Sequence, residues 1–263
     1  MPKLRVIVCA KQIPDPEGPA DAFQVDADAK RIIPVGIPPV INPFDENALE
    51  VALRIKEHHG ATVKVLSMGG QLARPVLRKA LAAGADDLIL LEDPHFKDLN
   101  SLSTAYVLAC AIKKMEGYDL ILTGRQAGDW DFGVTGLLIS EILQIPGISF
   151  AQKVEIEDHH VLVEKLSLNG YEVVKAPMPV LVTVSGEAGE LRYVSVRAHQ
   201  GVGKKPIETY TAKDLEIAPE RLEGRNVMDL VSTDVRRECK FIEGVSPLEK
   251  GENLAACMKN EMI

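Results

Sequence analysis

Asp119-Leu120-Ile121-Leu122-Thr123-Gly124 runs into Arg125-Gln126-Ala127-Gly128-Asp129-Trp130-Asp131-Phe132-Gly133 and then into Val134-Thr135-Gly136-Leu137-Leu138-Ile139-Ser140-Glu141-Ile142-Leu143-Gln144. The first piece is a short apolar run with β-branched content that breaks at glycine, which predicts a buried strand. The last piece repeats its apolar residues at helical spacing. Joined by a glycine-bearing loop, the stretch reads as strand, loop and helix. In that geometry the first backbone N–H groups of the helix lack partners and point back at the loop, where they and the positive dipole end favour an anion such as phosphate. Neither Gly-x-Gly-x-x-Gly after a strand nor Gly-x-x-x-x-Gly-Lys-[Ser/Thr] occurs, so a nucleotide site here is of another kind.

Outward from this stretch the pattern repeats. Leu4 to Cys9 reads as a first strand, and Ala10-Lys11-Gln12-Ile13-Pro14-Asp15-Pro16 leaves it as a loop stiffened by prolines. Gln24 to Asp26 and Lys30 to Val35 read as an inserted hairpin, and Ile41-Asn42-Pro43-Phe44-Asp45-Glu46 opens a helix to about His58. A strand over Thr62–Met68, a helix from about Gln71 to Ala83, a strand over Asp87–Leu91 and a helix over Ser101–Met115 precede the strand at Asp119. This alternation predicts an α/β fold, a Rossmann-like parallel sheet with helices on both faces and a ligand site outside the carboxyl ends of its strands. Val154–Glu157, Val161–Leu168, Tyr171–Lys175 and Val180–Ser185 read as antiparallel additions, with Asn169-Gly170 as a hairpin turn. From about Gly186 the chain is polar and aperiodic until Ser246-Pro247 caps a last helix. Two parts are therefore expected: a nucleotide-binding domain over 1–185, and over 186–263 an extended arm and C-terminal helix packing on a partner subunit.

With 263 residues, 46% of them hydrophobic, the chain buries a substantial core. A net charge of −8 argues against nucleic acid as a partner. No apolar run approaches the roughly 20 residues that span a bilayer, and the amino terminus lacks a signal-peptide layout, so a cytoplasmic protein is expected. Cys9, Cys110, Cys239 and Cys257 form no Cys-x-x-Cys pair and read as free thiols. His58-His59 closes a helix and His159-His160 sits in a polar turn; neither has ligand spacing, and no metal is expected. No catalytic set emerges either, since Asp129 and Asp131 read as loop carboxylates. Redox chemistry in such a chain requires a bound cofactor.

Six segments in order resemble the beta subunit of electron-transferring flavoproteins: Val8-Cys9-Ala10-Lys11-Gln12-Ile13-Pro14-Asp15, Ile41-Asn42-Pro43-Phe44-Asp45, Ala80-Leu81-Ala82-Ala83-Gly84-Ala85-Asp86, Gly124-Arg125-Gln126-Ala127, Pro179-Val180-Leu181-Val182-Thr183 and Leu191-Arg192-Tyr193. The resemblance implies a heterodimer with an alpha subunit that carries the electron-carrying FAD. In this subunit it implies a structural AMP or, as in the electron-bifurcating branch, a second FAD, with NADH as a further reactant. The first-strand loop around Lys11 resembles that branch, which favours FAD. Carried over by position, the nucleotide contacts fall on Cys9, Ala10, Lys11, Asn42, Ser67, Met68, Gly69, Ala127, Asp129, Asp131, Gly133, Val134 and Thr135. Many relatives have glutamine where this chain has Val134, so a side-chain amide contact is lost there. The segment Leu191 to Gln200 is implied as the docking loop for an acyl-CoA or other flavin dehydrogenase, with Leu191 and Tyr193 in it and Val194 or Val196 as anchor. The rival class is an ATP-binding regulator or adenylate-forming enzyme on a related sheet, but Lys11-Gln12-Ile13-Pro14 is not the Ser-Gly-Gly-x-Asp-Ser-like loop such an enzyme carries.

Overall fold

In the computed structural model, which describes residues 3–115, 117–231 and 239–261, the first strand β1 (Arg5–Cys9) leads through short strands β2 (Gln12–Pro14), β3 (Phe23–Asp26), β4 (Arg31–Pro34) and β5 (Pro39–Ile41) into helix α1 (Pro43–His59). Strand β6 (Thr62–Gly69), helix α2 (Arg74–Ala83), strand β7 (Asp87–Glu92), helix α3 (Ser101–Lys114), strand β8 (Leu120–Gly124) and helix α4 (Thr135–Leu143) follow. The order closes with β9 (Gly147–Glu157), β10 (His160–Ser167), β11 (Gly170–Pro177), β12 (Val180–Val184), α5 (Val196–Gly201), β13 (Glu208–Tyr210) and α6 (Pro247–Glu261).

One sheet of nine strands, ordered β11-β10-β9-β12-β8-β1-β6-β7-β13, organises the body. Every pairing from β9 to β13 is parallel, while β10 pairs antiparallel with β9 and β11. The inserted hairpin forms as read, β3 against β4. Side chains alternate across the sheet, as strand geometry requires. Val6 and Val8 join Leu49, Leu53 and Leu77 of α1 and α2, whereas Ile7 and Cys9 join Leu108, Ile112 and Ile139 of α3 and α4. Each face thus buries one helical layer.

Three readings need correction. Val180–Val184 is no antiparallel addition: it inserts between β9 and β8, parallel to both, and all five residues are buried. An apolar run without alternation is what a strand covered on both faces requires. The hairpin turn lies one residue earlier than Asn169-Gly170, because Ser167 pairs with Gly170, leaving Leu168 and Asn169 as the loop. Helix α2 starts at Arg74 rather than Gln71, since the Leu72 and Ala73 N–H groups donate to the side chains of Glu92 and Gln12 at 2.8 and 2.6 Å.

Beyond residue 186 the polar-looking segment contributes to this sheet as well. β13 extends it beside β7, and Ala212, Leu215 and Ile217 are buried against the α3 and α4 side. Among the described residues no helix is long and apolar enough to cross a membrane.

The strand order fixes where a ligand can sit. From β1 the sheet grows through β6 and β7 on one side and through β8 and β12 on the other. The direction of winding reverses at β1, and the crevice between the carboxyl ends of β1 and β8 is the switch point at which such sheets bind ligands.

Candidate functional site

Two residues at the start of α1 build the floor of this crevice. Asn42 precedes Pro43, whose fixed φ and missing N–H suit the first helical position. With no cap bond of its own to make, the Asn42 side chain reaches the loop after β8: Nδ2 donates to the Gln126 carbonyl at 2.8 Å, and Oδ1 accepts from Gly128 N–H at 3.1 Å. Its own N–H donates to the Lys11 carbonyl at 2.8 Å. Asn42 is wholly buried and its partners Lys11, Gln126 and Gly128 are half-buried, which strengthens these bonds relative to bonds in open solvent.

Asp45 straddles the switch point. Its carboxylate accepts the Lys11 N–H at 2.7 Å on the β1 side and the Gly124 N–H at 2.8 Å on the β8 side. Burial pushes its carboxyl up to about 6, with the two N–H donors, Asn42 and the Lys11 charge pulling the other way. Gly124 is required here, because a Cβ would lie 2.6 Å from Asp45 Oδ1 and 2.7 Å from the Phe44 backbone.

Above this floor the loop is shaped by its own contacts. Lys11 Nζ lies 2.6 Å from both Asp129 oxygens, and Gln126 Nε2 donates to Asp131 Oδ1 at 2.8 Å. The Trp130 and Asp131 N–H groups both turn back to the Ala127 carbonyl. Asp131 and Gly133 take positive φ, 51° and 64°. Helix α4 then begins after Val134 without a side-chain cap, which leaves its first-turn N–H groups to a ligand or solvent. Gly136 lets this helix approach the sheet, as a Cβ there would sit 2.6 Å from Thr123 Oγ1.

On the other flank, Ser67 to Gly69 end β6. The Ser67 hydroxyl is buried, and among the described residues nothing hydrogen-bonds to it. Cys9 and Ala10 are buried at the end of β1. Burial, with Asp45 nearby, pushes the Cys9 thiol up to about 12, so its sulfur is not a reactive group. The structure thus joins Lys11, Asn42, Ala127, Asp129 and Asp131 in one bonded network, while Gly133, Val134 and Thr135 stand at the α4 entry and Ser67, Met68 and Gly69 stand one strand away. Asp45 and Gly124 are the functional positions that sequence reasoning passed over. Their signal was an acidic residue in the first turn of a Pro-initiated helix and a glycine at a strand end.

The segment read as a docking loop is built from the opposite side of α1. Asn47 Nδ2 donates to the Gly189 carbonyl at 2.7 Å and Arg54 Nη1 to the Ala188 carbonyl at 3.0 Å. Arg192 binds buried Glu50 through its backbone N–H, Nε and Nη2, each at 3.0 Å, and also reaches Glu57. Leu191 and Val194 are half-buried against the core, whereas Tyr193 and Val196 are 88% and 71% exposed. Val196 opens the short helix α5.

At this switch point the uncapped start of α4 is the part whose first-turn N–H groups suit an anion. Fold and crevice together define an α/β protein of the Rossmann-like class. The electron transfer flavoprotein domain matches residues 31–215, and the chain belongs to that family, among its beta subunits. It is 39% identical over 214 residues, 81% of each chain, to the electron transfer flavoprotein subunit beta of Clostridium acetobutylicum. The corresponding subunit of Thermoanaerobacterium thermosaccharolyticum is 40% identical over 215 residues, again 81% of each chain. The caffeyl-CoA reductase-Etf complex subunit CarD of Acetobacterium woodii is 37% identical over 218 residues, 82% of each chain.

Proposed function

We propose that this chain is the beta subunit of a heterodimeric electron-transferring flavoprotein, that it holds FAD at the β1–β8 switch point, and that with an alpha subunit it relays electrons between flavin dehydrogenases and other redox partners. The observation that carries the reading is the crevice itself, where the Lys11–Asp129 pair and the uncapped α4 start follow the carboxyl ends of β1 and β8, with the buried Ser67 hydroxyl one strand away on β6. The α4 N–H groups would take phosphate oxygens, Ser67 a ribose or base atom, and the backbone at Cys9, Ala10 and Gly69 the base edge. A phosphate charge brought into the crevice competes with Asp129 for Lys11. FAD supplies the reversible one- and two-electron chemistry that no side chain of this chain provides.

AMP uses the same donors and differs in leaving the outer crevice unfilled. FAD is preferred because Lys11 stands at the mouth of the crevice, where a second phosphate and a flavin ring would extend, and because the chain resembles a subunit of a caffeyl-CoA reductase–Etf complex. That likeness also supports a reductase acting on a CoA thioester as redox partner, and the bifurcating form of this reading takes NADH as donor. The arm beyond Arg225, with Met228, Val231, Phe241, Val245 and Leu248 all strongly exposed, supports an alpha subunit as the surface it covers.

Nucleotide stoichiometry of the purified heterodimer tests the reading. FAD on both subunits, with reduction by NADH, is the expected result. One FAD with one AMP and no reduction by NADH overturns the bifurcating form, and absence of any adenine nucleotide from this subunit overturns the site.

A further inference from the structure

The stretch of the arm that begins at Arg225 is rooted in a clasp on the body. Asn100 N–H donates to the Glu223 carbonyl at 3.0 Å and Arg225 N–H to the Asp98 carbonyl at 2.7 Å, while Glu223 N–H donates to Ser103 Oγ at 2.8 Å. Leu99 and Gly224 form a β-bridge between these bonds. Past this clasp, the side-chain hydrogen bonds described for residues 226–231 run within that segment.

The last clasped residue does not point into the clasp alone. The Arg225 guanidinium carbon lies 3.8 Å from the centroid of the Trp130 ring, although its side chain is only 18% exposed and also faces Asp98 at 3.6 Å. Trp130 stands between Asp129 and Asp131 in the crevice loop, and Phe132 stacks near it with ring centroids 6.0 Å apart. A planar cation on an indole face is the strongest contact of this kind, more so when partly desolvated. Phe132 belongs to the same loop, so among the described residues the ring contact that ties Trp130 to another part of the chain is the one with Arg225, 95 positions away at the root of the arm.

We propose that Arg225 is a positioning residue for the nucleotide: it fixes Trp130, and through Trp130 the loop from Ala127 to Gly133, so that retention of the nucleotide depends on how the arm is seated. The inference rests on the nucleotide site described above. It follows that a partner that pulls on the arm acts on the crevice without touching it. A loop whose binding-ready form is only partly populated binds its ligand more weakly by that fraction, and releasing Trp130 lowers the fraction.

Trp130 is the single tryptophan of the chain, which gives the test a direct reporter. Acrylamide quenching of intrinsic fluorescence and the Kd for FAD and for AMP are measured on the full chain for wild type, Arg225→Ala, Arg225→Lys, Trp130→Leu and the Arg225→Ala/Trp130→Leu pair, the fluorescence only where Trp130 is present. Arg225→Ala is expected to raise quenching and to weaken nucleotide binding about threefold to tenfold, the range a partly buried cation–π contact is worth. Arg225→Lys falls between, and the double variant binds no more weakly than Trp130→Leu alone. Unchanged affinity in Arg225→Ala, or an equal further loss when it is added to Trp130→Leu, overturns the inference while leaving the site intact. Wild-type chain that takes up neither FAD nor AMP overturns the site and this inference with it. Should Arg225→Ala fail to fold, Arg225→Lys decides: with the cation kept but the planar stack lost, wild-type quenching and affinity would overturn the proposal.

Discussion

Asn42→Ala removes a side chain that is wholly buried and makes two hydrogen bonds to the crevice loop. The variant leaves the Gln126 carbonyl and the Gly128 N–H, both on half-buried residues, without their partner. Each net hydrogen bond contributes about 1 kcal/mol, and a stranded half-buried group costs at the lower end of the range for buried ones, about 1–2 kcal/mol, so the expected loss for the two is about 2–4 kcal/mol. At roughly 2–4 °C per kcal/mol for a chain of this size, Tm falls by about 4–16 °C. The loss is local in origin, so Trp130 emission and nucleotide affinity change with it. Asn42→Asp keeps the shape and the acceptor but turns an oxygen toward the Gln126 carbonyl, and it is expected to fare no better at neutral pH. Circular dichroism melts and Trp130 fluorescence give the answer. An Asn42→Ala protein that melts within about 2 °C of wild type, well inside the smallest shift expected, with unaltered emission and affinity, refutes the view that this residue holds the loop.

Gly136→Ala drives a methyl group against Thr123 and Thr183, 2.6 and 2.8 Å away, and is expected to cost about 1–3 kcal/mol in denaturant unfolding together with weaker nucleotide binding. Arg192→Ala removes the two guanidinium donors of buried Glu50 and leaves it the backbone N–H of residue 192 and Arg54 Nε; it should accelerate limited proteolysis between residues 190 and 201 while the sheet stays protected. Val196→Glu, at an exposed position, should slow electron transfer to the dehydrogenase with no change in Tm; loss of bound nucleotide in this variant would reassign Val196 to internal packing. Asp45 has its carboxyl raised from 3.8 to about 6 by burial, so the folded state holds that proton more tightly than the unfolded one. Its contribution to stability is therefore complete below pH 3.8 and lost as pH rises through about 6, a change of ~3 kcal/mol. Against Asp45→Asn, wild type should lose relative stability across this window; a pH-independent difference in urea midpoints refutes the assignment.

The parallel sheet was legible because its strands are continuous apolar runs between helical periods, and the loop from Gly124 to Gly133 was legible because glycines interrupt a strand–helix handover. β13 was not. Glu208-Thr209-Tyr210 has no apolar run, and it becomes a strand only because β7 offers a free edge and Ala212, Leu215 and Ile217 find an apolar surface already formed by α3 and the sheet. Tertiary context of that kind overrides local pattern. β12 was assigned to the wrong partner for a related reason: its five residues are buried on both sides, and a fully buried run does not encode which neighbour it takes. Within the site, Lys11 and Asp129 are 118 positions apart, and nothing in either segment announces the other. What placed them together is topology, since both follow strands that meet at the switch point.

Helix α1 explains why the crevice and the 186–195 segment belong to one mechanical unit. Its start carries Asn42 and Asp45 on the two site loops, and its flank carries Asn47, Glu50 and Arg54 on Ala188, Gly189 and Arg192. Between these ends runs a single uninterrupted helix of 17 residues, roughly 25 Å long, whose inner face, Leu49, Ala52, Leu53 and Ile55, is packed into the core. A packed helix shifts as a body rather than bending to absorb strain, because close-packed interiors transmit displacement. Polar residues on α1 that have no role in the core are therefore the ones that tie the two surfaces to the same rod. Glu50 is the sharpest case: a buried carboxylate in a helix interior is costly unless paired, and beside Arg54 of its own helix it is paired by Arg192, from the very segment whose position it fixes.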